Sequence, residues 1–215
     1  MSQTKASSGS YHHGDLENAL TKTAMELARH GGPDAVVLRE AARQIGVSAT
    51  SAYRYFVSRS ILMKRVRELA RAELAEYMLR AGAEPHLPAD REAAALVTLR
   101  ALGRGYIGFA RDEPGLFRTA FQTDPADAST PPELAGSEAF LMLGRALDDL
   151  VATGRIPPAR RPMLELAVWA AVHGMAQLML DGPLSRLPAE HQEPMIAATL
   201  GLVEHGLQPP PTSGR

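Results

Sequence analysis

The chain has 215 residues, enough for one well-packed domain and a smaller one, and its 45% apolar and 22% charged residues are ordinary globular usage, which excludes wholesale disorder. It contains no cysteine, so structural disulfides, thiolate zinc sites and cysteine nucleophiles are excluded. The net charge of −1 hides an asymmetry: residues 1–65 carry nine Lys and Arg against five Asp and Glu, the remainder fourteen against nineteen. A basic head on an acidic body suits local phosphate binding.

Residues 1–10, rich in Ser, Gly and Lys, read as a flexible arm without the apolar core of an export signal, and with the missing cysteine this suits a cytoplasmic protein. Asp15 is placed to cap a first helix whose apolar face is Leu16, Leu20, Ala24 and Leu27, and Gly31, Gly32 and Pro33 end it. A second helix is predicted over 38–45 with Ala41, Ala42 and Ile45 inward, Gly46-Val47-Ser48 as a turn, and a third helix over 49–55. Ser58 caps a fourth helix, with Leu62, Val66, Leu69 and Tyr77 on its apolar face, that ends near Gly82. Five more follow: 90–111, 115–122, 132–153 after a Pro-rich loop at 123–132, 160–180 and 188–206. The tail after Pro209 reads as disordered, and no strand or fixed-period repeat is evident. The fold class is therefore all-α with about nine helices: residues 11–62 form a three-helix helix-turn-helix domain, 63–207 a larger helical ligand-binding and dimerisation domain, and 208–215 a tail.

Two short helices joined by a tight turn let the first brace the second so that it projects into a major groove. Gly46 supplies the positive φ of the turn, Val47 tucks into the core, and Ser48 caps the third helix. The small residues after it permit close approach to base edges: Ala49 or Ala52 against a thymine methyl, Thr50 and Ser51 as hydrogen-bonding groups. Tyr53, Arg54 and Tyr55 suit phosphate oxygens, Phe56 packs inward, and Ser58 and Arg59 open a helix whose free N–H groups also suit phosphate.

The run LREAARQIGVSATSAYRYFVSRSIL, Leu38 to Leu62, resembles the DNA-binding domain of the tetracycline-repressor (TetR) family, and Tyr-His-His-Gly-Asp-Leu at 11–16 resembles one branch of it. The resemblance implies DNA contact by Arg39 from the second helix, base contacts by Ala49, Thr50 and Ser51, and phosphate contacts by Tyr53, Tyr55 and Arg59. The sequence departs from the family pattern at Val37-Leu38, where a phosphate-binding Thr is common, and at Ala49 and Arg59, where Lys is common.

Further along, Trp169-Ala-Ala-Val-His173-Gly174 and Glu113-Pro-Gly-Leu-Phe117 resemble the Trp-His-Gly type of C-terminal domain in that branch. Glu165, Trp169, His173, Gln177 and Asp181 recur every four residues on an otherwise apolar helix, a row that lines a pocket, a subunit contact or a solvent-facing stripe. Phe109, Phe117, Phe121, Met142, Met175 and Met179 join Trp169, His173 and Gln177 as candidate walls of a site for a small apolar or aromatic effector. The last two helices are the expected homodimer surface, with Ala197, Ala198 and Gly201 for close approach and Ile196, Leu200, Val203 and Leu207 as an apolar stripe.

Leu166–Leu180, the most apolar stretch, has 15 residues, short of the roughly 20 of a membrane span, so no membrane partner is expected. No phosphate loop of the Walker or dinucleotide type and no His-Glu-x-x-His motif occurs, and Glu165 and His173 lie about 12 Å apart along a helix, too far to share a metal. No enzyme, catalytic residue, cofactor or metal is expected. The function expected is that of a DNA-binding transcription regulator, a repressor released from a palindromic double-stranded operator by its effector. The alternatives are a dimeric helical interaction protein without ligand sensing and an all-helical enzyme.

Overall fold

A computed structural model describes residues 13–83, 87–122 and 136–208. Among these the chain forms nine α-helices and no strand: α1 (His13–Gly31), α2 (Leu38–Gln44), α3 (Ala49–Tyr53), α4 (Arg59–Gly82), α5 (Arg91–Asp112), α6 (Pro114–Phe121), α7 (Glu138–Ala152), α8 (Arg161–Leu180) and α9 (Ala189–Gly206). Short 3-10 turns precede α2, α8 and α9 at Pro33–Ala35, Pro158–Arg160 and Pro183–Arg186, each begun by a proline whose fixed φ suits a helix start. The expectations for residues 1–10, for the loop at 123–132 and for the tail beyond Gln208 lie outside the described residues.

Local chemistry sets most helix ends. Ser48, Ser58, Asp90 and Ser137 each accept a backbone N–H from the first turn of α3, α4, α5 and α7. Asp15 is not the cap expected of it: α1 begins at His13, and Asp15 lies in its first turn, where a carboxylate still favours the helix dipole. The third helix is shorter than expected, because Arg54 and Tyr55 donate to Ser51 and Ala52 as a turn rather than continuing it. The expected start of α7 at 132 moves to Glu138, where Ser137 supplies the cap. Gly154, at φ 82°, ends the α7 segment as expected.

α1, α2, α3 and the start of α4 form the N-terminal bundle around Leu20, Ala24, Ala41, Ala52, Phe56 and Leu62. α5 is the axis of the body, with α4, α6, α7, α8 and α9 against it, and it buries Leu99, Tyr106, Ile107 and Phe109. α4 belongs to both parts, and α6 lies against α1 and α4, so the two halves are joined by a continuous helix and a second packed contact.

Candidate functional site

The turn between α2 and α3 is built as its sequence demands. Gly46 takes φ 74°, and the N–H groups of Gly46 and Val47 close the end of α2 on the carbonyls of Arg43 and Ala42 at 3.2 and 3.0 Å. The Ser48 hydroxyl accepts the Ser51 N–H at 3.1 Å and lies 2.9 Å from the Ser51 hydroxyl. Val47 packs partly into the core, and Phe56 is buried. Outward stand Arg39, Thr50, Tyr53 and Arg54, all exposed, with Ala49, Ser51 and Tyr55 half-buried behind them. Tyr53 alone among these aromatic side chains has 41% of its surface open. Ala52 is the exception to the sequence expectation. It is fully buried, since its place on the short helix turns it toward α2 and the core, and it is unable to reach a base.

Arg59 also differs from expectation. Its Nε and Nη2 donate to the carbonyls of Val36 and Pro33 at 2.9 and 2.7 Å, so its guanidinium ties the start of α4 to the segment before α2. A further arginine missed in the sequence, Arg43, lies exposed on α2 and grips Glu40, whose carboxyl is pulled down to about 2 by hydrogen bonds from Arg43 and Gln44.

In the body, a cavity of about 30 Å³ lies among α4, α5, α7, α8 and α9, lined by Leu102, Tyr106, Leu143, Trp169, Val172 and Leu200 among others. It has room for about two waters, well below the roughly 300 Å³ at which ligand pockets begin. Of the expected wall residues only Trp169 lines it. Phe117, Phe121 and His173 do not line it but join Tyr106 and Trp169 in a ring cluster: Tyr106 meets Phe117 edge-on at 5.5 Å and Trp169 at 5.0 Å, and Phe117 stacks on His173 at 5.7 Å. Phe109 packs instead against Tyr77, and Met142 is buried in α7. Gln177, Met175 and Met179 are half-buried and do not line this cavity. The Tyr106 hydroxyl and His173 Nδ1 share a 2.7 Å hydrogen bond, and burial pushes the phenol above its ordinary range and the imidazole below its own. Tyr106, at the centre of this arrangement, was missed in the sequence. Arg100 and Glu204, which close the cavity's outer end, carry no sequence signal, being a residue pair 104 apart.

Most of the polar row on α8 faces inward: Trp169 is buried and the Glu165 side chain is 15% exposed, whereas Asp181, just past the helix end, is half exposed and pairs with Arg118, so the row is not a solvent-facing stripe along its length. The outward face of α8 is apolar instead, with Met163 73% and Leu166 56% exposed and Ala167, Ala170 and Leu178 beside them. On α9 the expected dimer stripe is corrected: Ile196, Leu200 and Leu207 are buried in the chain's own core, and Val203 packs half-buried against it. The surface that remains is Ala197, Ala198, Gly201 and Leu202, the last 77% exposed, and a side chain added at Gly201 or Gly174 would meet only open space. Pro158–Leu180 is the one segment among the described residues long and apolar enough to cross a membrane. Its inner row is packed on α5, α6 and α7 through Trp169 and His173. Among the described residues no three His, Asp or Glu side chains gather as a metal site.

Residues 20–66 match the bacterial regulatory proteins of the tetR family, and residues 99–202 match the tetracyclin repressor-like C-terminal domain. Among solved structures, a protein of unknown function from Rhodococcus sp. RHA1 is 25% identical, covers 94% of this chain and 100% of its own, and superposes with a TM-score of 0.71. A tetR-family structure from Shewanella sp. PV-4 shares the fold at 16% identity and TM-score 0.63, covering 90% of this chain and 98% of its own. The TetR family transcriptional regulator PfmR from Thermus thermophilus does so at 20% identity and TM-score 0.54, covering 88% and 99%. No curated protein matches the chain in sequence.

Proposed function

The chain belongs to the tetracycline-repressor family of DNA-binding transcription regulators, which dimerise, and from that premise we propose that it is a cytoplasmic repressor released from a palindromic operator by a small apolar or aromatic molecule. The observation that carries the reading is the outward face of the α2–α3 unit, where Arg39, Thr50, Tyr53 and Arg54 stand exposed above a buried Ala52 and Phe56. In this reading residues 11–62 read DNA and residues 63–207 sense and dimerise. Ala49, Thr50 and Ser51 approach bases, while Arg39, Tyr53, Arg54 and Tyr55 hold phosphates. Arg59 acts chiefly by bracing α4.

A two-fold dimer through the outward faces of α8 and α9 would cover Met163, Leu166 and Leu202, and would set two α3 helices against major grooves about 34–36 Å apart. An effector entering beside Trp169 presses on Tyr106, which touches Phe117 of α6. The start of α6 abuts the last turn of α1, so a shift there alters head spacing and moves the population off DNA. Selection of duplexes from a random pool by the full chain tests the reading. A palindromic consensus with half-sites one helical turn apart is expected, and indifference to every duplex at low salt overturns it. The small size of the cavity favours a second reading, a dimeric regulator that senses no ligand; it predicts that no small molecule releases the selected duplex.

A further inference from the structure

The cavity beside Trp169 has one charged wall. Arg100 on α5 and Glu204 on α9 pair across its outer end through two hydrogen bonds, Nε and Nη2 donating at 2.6 and 2.5 Å. The partners are unequal. The Arg100 side chain is 50% exposed on a flexible stem, whereas that of Glu204 is 15% exposed. Arg100 is free to move into water with little loss of hydration, but Glu204 without it is a largely desolvated carboxylate facing an apolar space, and it then requires a cation. The aromatic faces nearby, Tyr106 and Trp169, also attract cations through their ring quadrupoles. An anionic visitor would meet Glu204 as a like charge, and a neutral one would either leave the pair closed or strand the carboxylate.

We infer that the effector is an apolar monocation, an amine or quaternary ammonium with a hydrophobic body, whose charged end takes the place of Arg100 on Glu204. This rests on the ligand-sensing reading above and adds the chemical class. Entry has a natural route. A side chain at position 103 would lie 2.6 Å from Leu200 Cδ2, so α9 lies close on α5 because Gly103 has none. A body larger than the present 30 Å³ must push α9 outward, and α9 carries both Glu204 and the exposed Leu202. Filling the cavity therefore acts on the same helix that bears the proposed dimer face.

Trp169 is the chain's single tryptophan, so its fluorescence reports the cavity directly. The full chain is titrated with decyltrimethylammonium, decanol and decanoate, equal in chain length and below their micelle-forming concentrations, with release of a pool-selected duplex followed in parallel. The ammonium is expected to perturb Trp169 and release DNA at concentrations at least tenfold below either of the others. Glu204→Gln should bring it to within about twofold of decanol, and Arg100→Met should preserve or sharpen its advantage. A preference for decanoate or decanol, or a Glu204→Gln protein that folds and keeps the full preference for the ammonium, overturns the charge assignment and leaves ligand sensing standing. Should Glu204→Gln fail to fold, loss of the preference in Arg100→Met overturns the assignment instead. Silence of Trp169 toward all three probes overturns the sensing reading and this inference together.

Discussion

The seat of α6 against α1 offers the sharpest test of how body and head are joined. A Cβ built at Gly115 would lie 2.2 Å from the Ala28 carbonyl oxygen and 2.3 Å from that of Arg29. Both are backbone atoms in the last turn of α1, unable to rotate away, so alanine there must drive the two helices roughly 1 Å apart to reach ordinary contact. The same movement strains Arg29, whose guanidinium bridges Glu73 of α4 at 2.8 Å and Glu113, at the corner between α5 and α6, at 2.5 Å. Overpacking of this kind costs about 1–3 kcal/mol, which for a chain of this size lowers the melting temperature by roughly 2–12 °C. Gly103→Ala is the control. Its nearest neighbour is the far end of a leucine at 2.6 Å, which is free to change rotamer, so the loss should be smaller while the cavity narrows. Melting followed by circular dichroism compares the two, and titration of a selected duplex then asks whether Gly115→Ala weakens DNA binding although no α3 residue has changed. Melting within about 1 °C of the wild type, or no lower than Gly103→Ala, refutes the tight seat and with it the route from Tyr106 through α6 to the head.

Arg54→Ala should weaken binding to all duplexes and reduce the slope of log affinity against log salt by about 0.9, the share of one phosphate, whereas Arg59→Ala should lower the melting temperature by removing two hydrogen bonds to carbonyls, with a smaller change in slope; equal slopes for both variants would return Arg59 to the phosphates. Leu202→Glu or Leu166→Glu, placed on the open apolar faces of α9 and α8, should yield monomers in sedimentation velocity without loss of helix content, and dimers of unchanged affinity would remove that face from the interface. Burial holds the His173 pKa below its ordinary 6.5, so the unfolded chain takes up this proton first as pH falls. The group adds no pH dependence while neutral in both states above about pH 7, and stability is lost as pH drops through the unfolded value. His173→Gln should flatten the melting temperature between about pH 7 and pH 5, and an unaltered profile would contradict the buried, neutral imidazole.

Elements with their own punctuation were legible in the sequence. Gly46, Ser48, Ser58 and Gly154 fix turns and caps through interactions within a few residues, and α3 and α4 begin where those signals put them. What depended on the rest of the chain was not legible. The burial of Ala52 follows from the packing of α3 on α2, the role of Arg59 from two carbonyls more than twenty residues away, and the Arg100–Glu204 pair from the return of α9 to α5. The orientation of α8 is the instructive case. A helix apolar on nearly every face does not say which face is inside, and the row Glu165, Trp169, His173, Gln177 and Asp181 left a pocket, a subunit contact and a solvent-facing stripe all open. Glu165, Trp169 and His173 turn inward against what waits there: Gly144 of α7 beside Glu165, the Tyr106 hydroxyl for His173, the rings of Phe121 and Phe140 for Trp169. Met163, Leu166 and Leu178 of α8 are thereby left exposed, as is Leu202 of α9. Polar groups inside and leucines outside invert the pattern of a protein that works alone, and the proposed second copy across α8 and α9 would restore the usual order.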